Sequence, residues 1–140
     1  VWPHLGHTFK TTKNLGAIMT GTAYPDLWNL EYDANDESLH SMAEAYTKIY
    51  INTCLSNKVD VLLKIMEKGQ IDGTIYHLNR SCKLMSFLNV ETAEIIKGVN
   101  GKPYVSFDGD QTDPNVFSPA QYETRVQALV EMMEANLAAE

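Results

Sequence analysis

The sequence predicts an α/β domain: a three-layer sandwich whose short parallel sheet of about four strands lies between helices, Rossmann-like or flavodoxin-like. Three observations predict it. Short β-type runs at residues 17–20, 74–76 and 104–107 alternate with helical periodicities of about ten residues or more, the pattern of right-handed βαβ units. Each run empties into a loop rich in polar residues, glycine or proline, where an open α/β sheet binds its ligands. A chain of 140 residues can bury a real core, so residues 1–140 read as a single domain.

Residues 3–14 space Leu5 and Phe9 among His4, His7, Lys10 and Lys13 as on a helix ending near Asn14, with Gly16 as its stop. His4 and His7 share a face and suggest a metal pair, but no neighbouring carboxylate or cysteine completes one. Residues 17–20 read as a short buried strand, and residues 21–25 as a loop opening on the same mouth as the later strand ends. Residues 27–32 alternate as an extended surface segment, and the acidic stretch 33–37 forms turns.

From Ser38, Leu39, Met42, Tyr46, Ile49 and Tyr50 recur at the period of an amphipathic helix. Cys54 falls on the continuing face and reads as a core thiol. Ser56 is placed to cap a further helix that carries Val59, Leu62, Leu63 and Met66 and closes at Gly69. The β-branched and aromatic residues Thr74, Ile75 and Tyr76 make the central strand. Leu84, Leu88, Ile95 and Val99 mark a helix over 84–99, ended by Gly98 and Asn100-Gly101. Residues 104–107 form the next strand. Ser118-Pro119-Ala120-Gln121 is a capping box with proline at the first helical position. Tyr122, Val126, Leu129, Val130, Met133 and Leu137 give the last helix its apolar stripe. One more strand, preceding Val1, would complete the sheet.

Composition removes several function classes. A net charge of −7, from 11 Lys+Arg against 18 Asp+Glu, offers no basic face for a phosphate backbone, so no nucleic acid is expected as partner. No apolar run approaches the roughly 20 residues that span a bilayer, and no membrane partner is expected. The opening VWPHLGHTFK is not a secretory signal. Two cysteines are too few for a disulfide framework, which makes a reducing cytoplasm the expected location. Cys-x-x-Cys pairs, a P-loop and a GxGxxG are absent.

The chemistry-bearing residues gather in IDGTIYHLNRSCK, residues 71–83, where the central strand meets a loop carrying His77, Asn79, Arg80, Ser81 and Cys82. Positive charge on Arg80 and Lys83 favours the thiolate of Cys82, as does a place at or just before a helix N-terminus. The alternative is a small buried hydrophobe. Were Cys82 a nucleophile, His77 would be its base; were it a zinc ligand, His77 and two of the scattered His4, His7 and His40 would have to join it. Asp108-x-Asp110-x-Thr112 has the form of a haloacid-dehalogenase-type phosphatase motif, but that motif opens its fold and needs further strands after it. Only one helix follows here. Asp108, Asp110 and Asp113 therefore read as turn and capping carboxylates, with Arg80 as an ion-pair partner at the same sheet edge.

HLNRSCK, DGDQTDP and AQYETRVQALVEMME, together with the opening WPHLGHTFK, resemble the C-terminal part of subunits of the benzoyl-CoA reductase and 2-hydroxyacyl-CoA dehydratase family, over essentially the whole chain. The resemblance implies a C-terminal domain cut from a longer subunit. It implies a [4Fe-4S] cluster in the full-length subunit, with Cys82 as an iron ligand; Asn79, Arg80 and Ser81 would donate hydrogen bonds to cluster or substrate, and His77 would move a proton. Cys54 does not match the family's other cluster cysteines, so the isolated chain is expected to hold no stable cluster and to be inactive.

The implied partners are a homologous second subunit, an ATP-dependent activator protein that delivers one electron, and an acyl-CoA substrate. The implied reaction is radical 2-hydroxyacyl-CoA dehydration or benzoyl-CoA-type ring reduction. The alternative is a homologous non-catalytic domain that serves as a structural or electron-relay subunit.

Overall fold

The computed structural model describes residues 5–26, 28, 30–33, 35 and 39–139. In chain order these form α1 (Leu5–Asn14), α2 (Ala23–Asp26), α3 (Leu39–Thr47), α4 (Leu55–Gly69), β1 (Thr74–Asn79), α5 (Lys83–Ser86), α6 (Asn89–Asn100), β2 (Tyr104–Gly109) and α7 (Pro119–Leu137). Single 3-10 turns stand at Tyr50–Asn52 and Pro114–Val116.

β1 and β2 pair in parallel from Thr74↔Tyr104 to Asn79↔Gly109. The ladder runs on at both ends, through the Thr74 amide to the Pro103 carbonyl and the Arg80 amide to the Gly109 carbonyl, each at 3.1 Å. Side chains alternate across this ribbon. Ile75 and Phe107 face α7, where Phe107 packs with the buried Tyr122 and Val126, and α1 lies on α7. On the other face, the Tyr104 hydroxyl reaches Glu94 of α6 at 2.5 Å, and α6 packs on α4 through Ile96, Val59 and Met66. Helices thus flank the sheet on both faces.

The described sheet has two strands where the sequence predicts about four. Residues 17–20 do not join it: Ile18 is exposed, and the Thr20 hydroxyl donates to the Gly69 carbonyl at 3.2 Å. A four-residue apolar run has too little periodicity to identify a strand. Gly21 lies against Ile71 and Ile65, before β1 begins, so the 21–25 segment starts at the opposite end of the sheet from the β1 and β2 exits.

The amphipathic face expected to run from Leu39 to Cys54 breaks after Thr47. Asn52 Nδ2 donates to the Tyr46 carbonyl at 2.8 Å, and the Thr53 hydroxyl to the Tyr50 carbonyl at 2.9 Å. These bonds close a 3-10 turn, and helical phase is lost. Cys54 therefore comes out exposed, in the N-cap position of α4, and not in the core; Ser56 lies inside the helix.

At the far end of α4 the left-handed residue is Gln70, at φ 49 and ψ 49, and not Gly69. The Ile71 amide bonds to the Met66 carbonyl and Gln70 to Glu67, a Schellman closure. Ile71 folds over Gly69, where a Cβ would meet its side chain at 3.1 Å.

The single helix expected over 84–99 is two. Leu88, at φ −101 and ψ 0, separates α5 from α6. Around the break the Ser86 hydroxyl donates to the Asn79 carbonyl at 2.8 Å and Asn89 Nδ2 to the His77 carbonyl at 3.2 Å, fastening both helix pieces to β1. The break resets the phase, so Thr92, Ala93 and Ile96 are buried while Leu84, Ile95 and Val99 are exposed. Gly101, at φ 70, stops α6 as expected. Ser118 caps α7 through the Gln121 amide, with Pro119 at its first turn.

Candidate functional site

Because the strands are parallel, both chain exits open at the same end of the sheet. β1 delivers Asn79, Arg80, Ser81 and Cys82 there, and β2 delivers Asp108, Gly109 and Asp110. The sequence-predicted loop residues and the three-aspartate loop are thus neighbours in space.

Two contacts join the loops. Arg80 Nε lies 3.3 Å from Asp108 Oδ1, the ion pair expected between this arginine and the 108–113 loop. The side chains are 64% and 40% exposed, so water screens the pair and it is worth about 0–1 kcal/mol. The second contact is half-buried, between an exposed serine and a buried carboxylate. The Ser81 hydroxyl donates to Asp110 Oδ2, and Asp110 is only 5% exposed.

Asp110 Oδ1 in turn accepts from the Thr112 amide at 2.8 Å, the Thr112 hydroxyl at 2.8 Å and the Asp113 amide at 3.3 Å. The Ser81 hydroxyl first, and then these Thr112 donors, hold the carboxyl well below the usual carboxylate range. A carboxylate so satisfied is a structural acceptor, in keeping with the turn and capping reading of the 108–113 loop. Asp113 caps the turn that follows, accepting from the Asn115 amide at 2.9 Å.

Asn79 is 6% exposed, and its Oδ1 accepts from the Ser81 amide at 3.2 Å. Its carbonyl takes the Cys82 amide at 3.1 Å together with the Ser86 hydroxyl. Cys82 is half-buried, directly before α5, and its carbonyl accepts from the Ser86 amide at 3.1 Å. Beside it, Leu78, Asn79, Arg80, Lys83, Ser86, Phe87 and Val90 line an open groove of about 260 Å³. Its floor is apolar and its rim carries two cations.

His77 sits on β1 two residues before the strand's end, its ring stacked on Phe107 at 4.9 Å and 16°. That places the ring in the aromatic layer facing α7. His7 lies at the edge of the same layer, against Phe117 and Tyr122, with Nε2 3.4 Å from Glu123 Oε1. His4 falls outside the described residues, and His40 is exposed on α3.

Among the described residues no three His, Cys, Asp or Glu side chains converge as metal ligands. The Sγ of Cys82 is a soft donor at a half-buried strand end, which fits one ligand position of an iron–sulfur cluster. Cys54, exposed at the start of α4, has its Sγ 3.1 Å from the Ser56 hydroxyl, which with the Asn57 amide lowers its pKa. The Asp110–Ser81 tie is the site feature that sequence reasoning missed. Its one signal was the spacing Asp-x-Thr-Asp, a self-bonding turn whose carboxylate has a lone pair to spare.

The chain is 84% identical over 139 residues to lactoyl-CoA dehydratase subunit alpha of Anaerotignum propionicum, covering 99% of the chain and 33% of that protein. It is 44% identical over 133 residues to the (R)-2-hydroxyisocaproyl-CoA dehydratase alpha subunit of Clostridioides difficile, covering 95% and 32%. A more distant relative, a benzoyl-CoA reductase subunit of Thauera aromatica, is 26% identical over 138 residues, covering 95% and 32%. The chain spans about a third of the length of these curated relatives. Residues 1–133 match the family described as 2-hydroxyglutaryl-CoA dehydratase, D-component, and the chain belongs to that family.

Proposed function

We propose that this chain is the Cys82-bearing α/β domain of the α subunit of a 2-hydroxyacyl-CoA dehydratase, a lyase assembled with a homologous second subunit. The observation that carries the reading is the family match across residues 1–133, which takes in both strand-end loops. In this reading Cys82 gives a thiolate to a [4Fe-4S] cluster, and the remaining ligands come from polypeptide outside these 140 residues. The bound cluster supplies low-potential one-electron chemistry, recharged by an ATP-dependent activator protein.

The chain's own residues then hold, orient and exclude water. The buried Asn79 and Asp110 fix the loop beneath Cys82. Arg80 and Lys83, at the rim of an apolar groove, suit an anionic thioester substrate such as an acyl-CoA. His77 stays in the reading as the proton-transfer candidate.

The test is anaerobic turnover of the full-length two-subunit protein with activator, ATP, reductant and a short (R)-2-hydroxyacyl-CoA, following the enoyl-CoA product. Product formation from the acyl-CoA that requires activator, ATP and reductant together supports the reading. A reduced, iron-replete complex that dehydrates no 2-hydroxyacyl-CoA would favour the electron-relay or structural alternative.

A further inference from the structure

We propose that Asp110 is the positioning residue of the Cys82 loop, and that it acts through the Ser81 hydroxyl. The Cys82 loop has little of its own to hold it. α5 has four residues, and Cys82 makes no side-chain cap bond to it. On the β1 side the loop is fastened by the Cys82 amide to the Asn79 carbonyl and the Ser81 amide to Asn79 Oδ1, both contacts with a residue two or three positions away. The Ser86 hydroxyl ties α5 to the same Asn79 carbonyl, so all three of these bonds end on one residue and give the loop a single point of attachment on β1.

A long-range contact from the other strand adds a second, independent point of attachment. Arg80–Asp108 is exposed and screened, and the Arg80 amide reaches Gly109 before the loop departs from β1. The Ser81 hydroxyl, by contrast, is bonded to a buried carboxylate 29 residues away. That carboxylate is immobilised from behind by the Thr112 amide and hydroxyl and the Asp113 amide. An ionised acceptor with its other oxygen fully engaged makes a strong, directional bond. Asp110 directly follows the last residue of β2 and is itself buried, so the β2 exit is the post, Ser81 the tether, and Cys82 the next residue along the tethered chain.

The identity of Cys82 as an iron ligand rests on the proposed function; the tether does not. The experiment separates them. Amide hydrogen exchange is measured in the full-length two-subunit protein for wild type, Ser81→Ala, Ser81→Thr, Asp110→Ala and the Ser81→Ala/Asp110→Ala double variant. Loss of the tether speeds exchange at Ser81 and Cys82 about tenfold or more in either alanine variant. The double variant goes no faster than the faster single, since both break one bond. Ser81→Thr keeps the hydroxyl and stays within about twofold of wild type.

If Asp110→Ala does not fold, the Ser81 pair decides alone, because Asp110 keeps its Thr112 and Asp113 donors in both. Ser81→Ala within about twofold of wild type, Ser81→Thr as fast as Ser81→Ala, or effects that multiply in the double variant would each overturn the proposal.

The same samples are examined for iron and for the paramagnetic resonance of the reduced protein. Altered g values in Ser81→Ala, restored in Ser81→Thr, show that the tether sets the geometry at Cys82. An unchanged spectrum in Ser81→Ala, in a protein whose Cys82→Ala variant loses its cluster, overturns the proposal. Wild-type protein without iron overturns the proposed function, and the exchange rates still decide the tether.

Discussion

The Asp110 carboxylate accepts the Ser81 hydroxyl across 29 residues of sequence, so the loop after β2 holds the loop after β1. The residue that follows Ser81 is the half-buried Cys82, directly before α5.

The tie also makes stability depend on pH. Ser81 and Thr112 keep the Asp110 pKa well below the ordinary carboxylate value, so the unfolded chain binds a proton near pH ~4 that the folded chain still refuses. The stabilisation is complete above the unfolded pKa and is lost as pH falls toward the folded one. Urea midpoints of wild type and Asp110→Asn, measured from pH 7 downward, should differ by a constant amount until about pH 4 and then converge. A gap that stays constant to pH ~2.5 would contradict the account.

Packing beneath β1 depends on a missing side chain. A Cβ on Gly73 would stand 2.7 Å from Met133 Sδ and 3.0 Å from Leu129 Cδ1. Gly73→Ala should therefore destabilise by about 1 kcal/mol, the low end for overpacking, because the atoms it meets end flexible side chains that can swing aside. Met133→Ala on that background should recover part of the loss, giving a non-additive double-mutant cycle by urea denaturation. Strictly additive changes would show that α7 does not meet β1 there.

The end of α4 carries a removable strain. Gln70 takes a left-handed conformation, φ 49, which costs an L-residue with a Cβ but not glycine. Gln70→Gly should raise stability by about 0.5–1 kcal/mol, seen as a higher urea midpoint with an unchanged m value. A lower midpoint would mean that the Gln70 side chain makes contacts worth more than the strain.

The parts of this fold that are legible in the sequence are those where local chemistry and tertiary packing agree. Ser118-Pro119 starts α7, Gly101 stops α6, and the Tyr122–Val126–Leu129 stripe is buried on schedule. Thr74 to Tyr76 and Tyr104 to Phe107 form the two strands, which run on through His77-Leu78-Asn79 and Asp108-Gly109, past the reach of the β-branched signal.

Two of the departures share one cause. The expectations for Cys54 and for the 84–99 stripe carry helical phase through residues whose side chains bond to backbone elsewhere, and Asn52, Thr53, Ser86 and Asn89 reset that phase. At the site, the loop residues around Cys82 are legible from their types, and the Arg80 pair from charge. The Ser81–Asp110 bond is not, because a contact between two turns 29 residues apart leaves no periodic trace in either.

The most direct measurement is iron and acid-labile sulfide in the full-length two-subunit protein, purified without oxygen, for wild type against Cys82→Ala. The account predicts that wild type carries a cluster and that the variant loses it while keeping its exchange-protected core. Equal iron in both, or none in either, would contradict it and return Cys82 to the role of a core thiol.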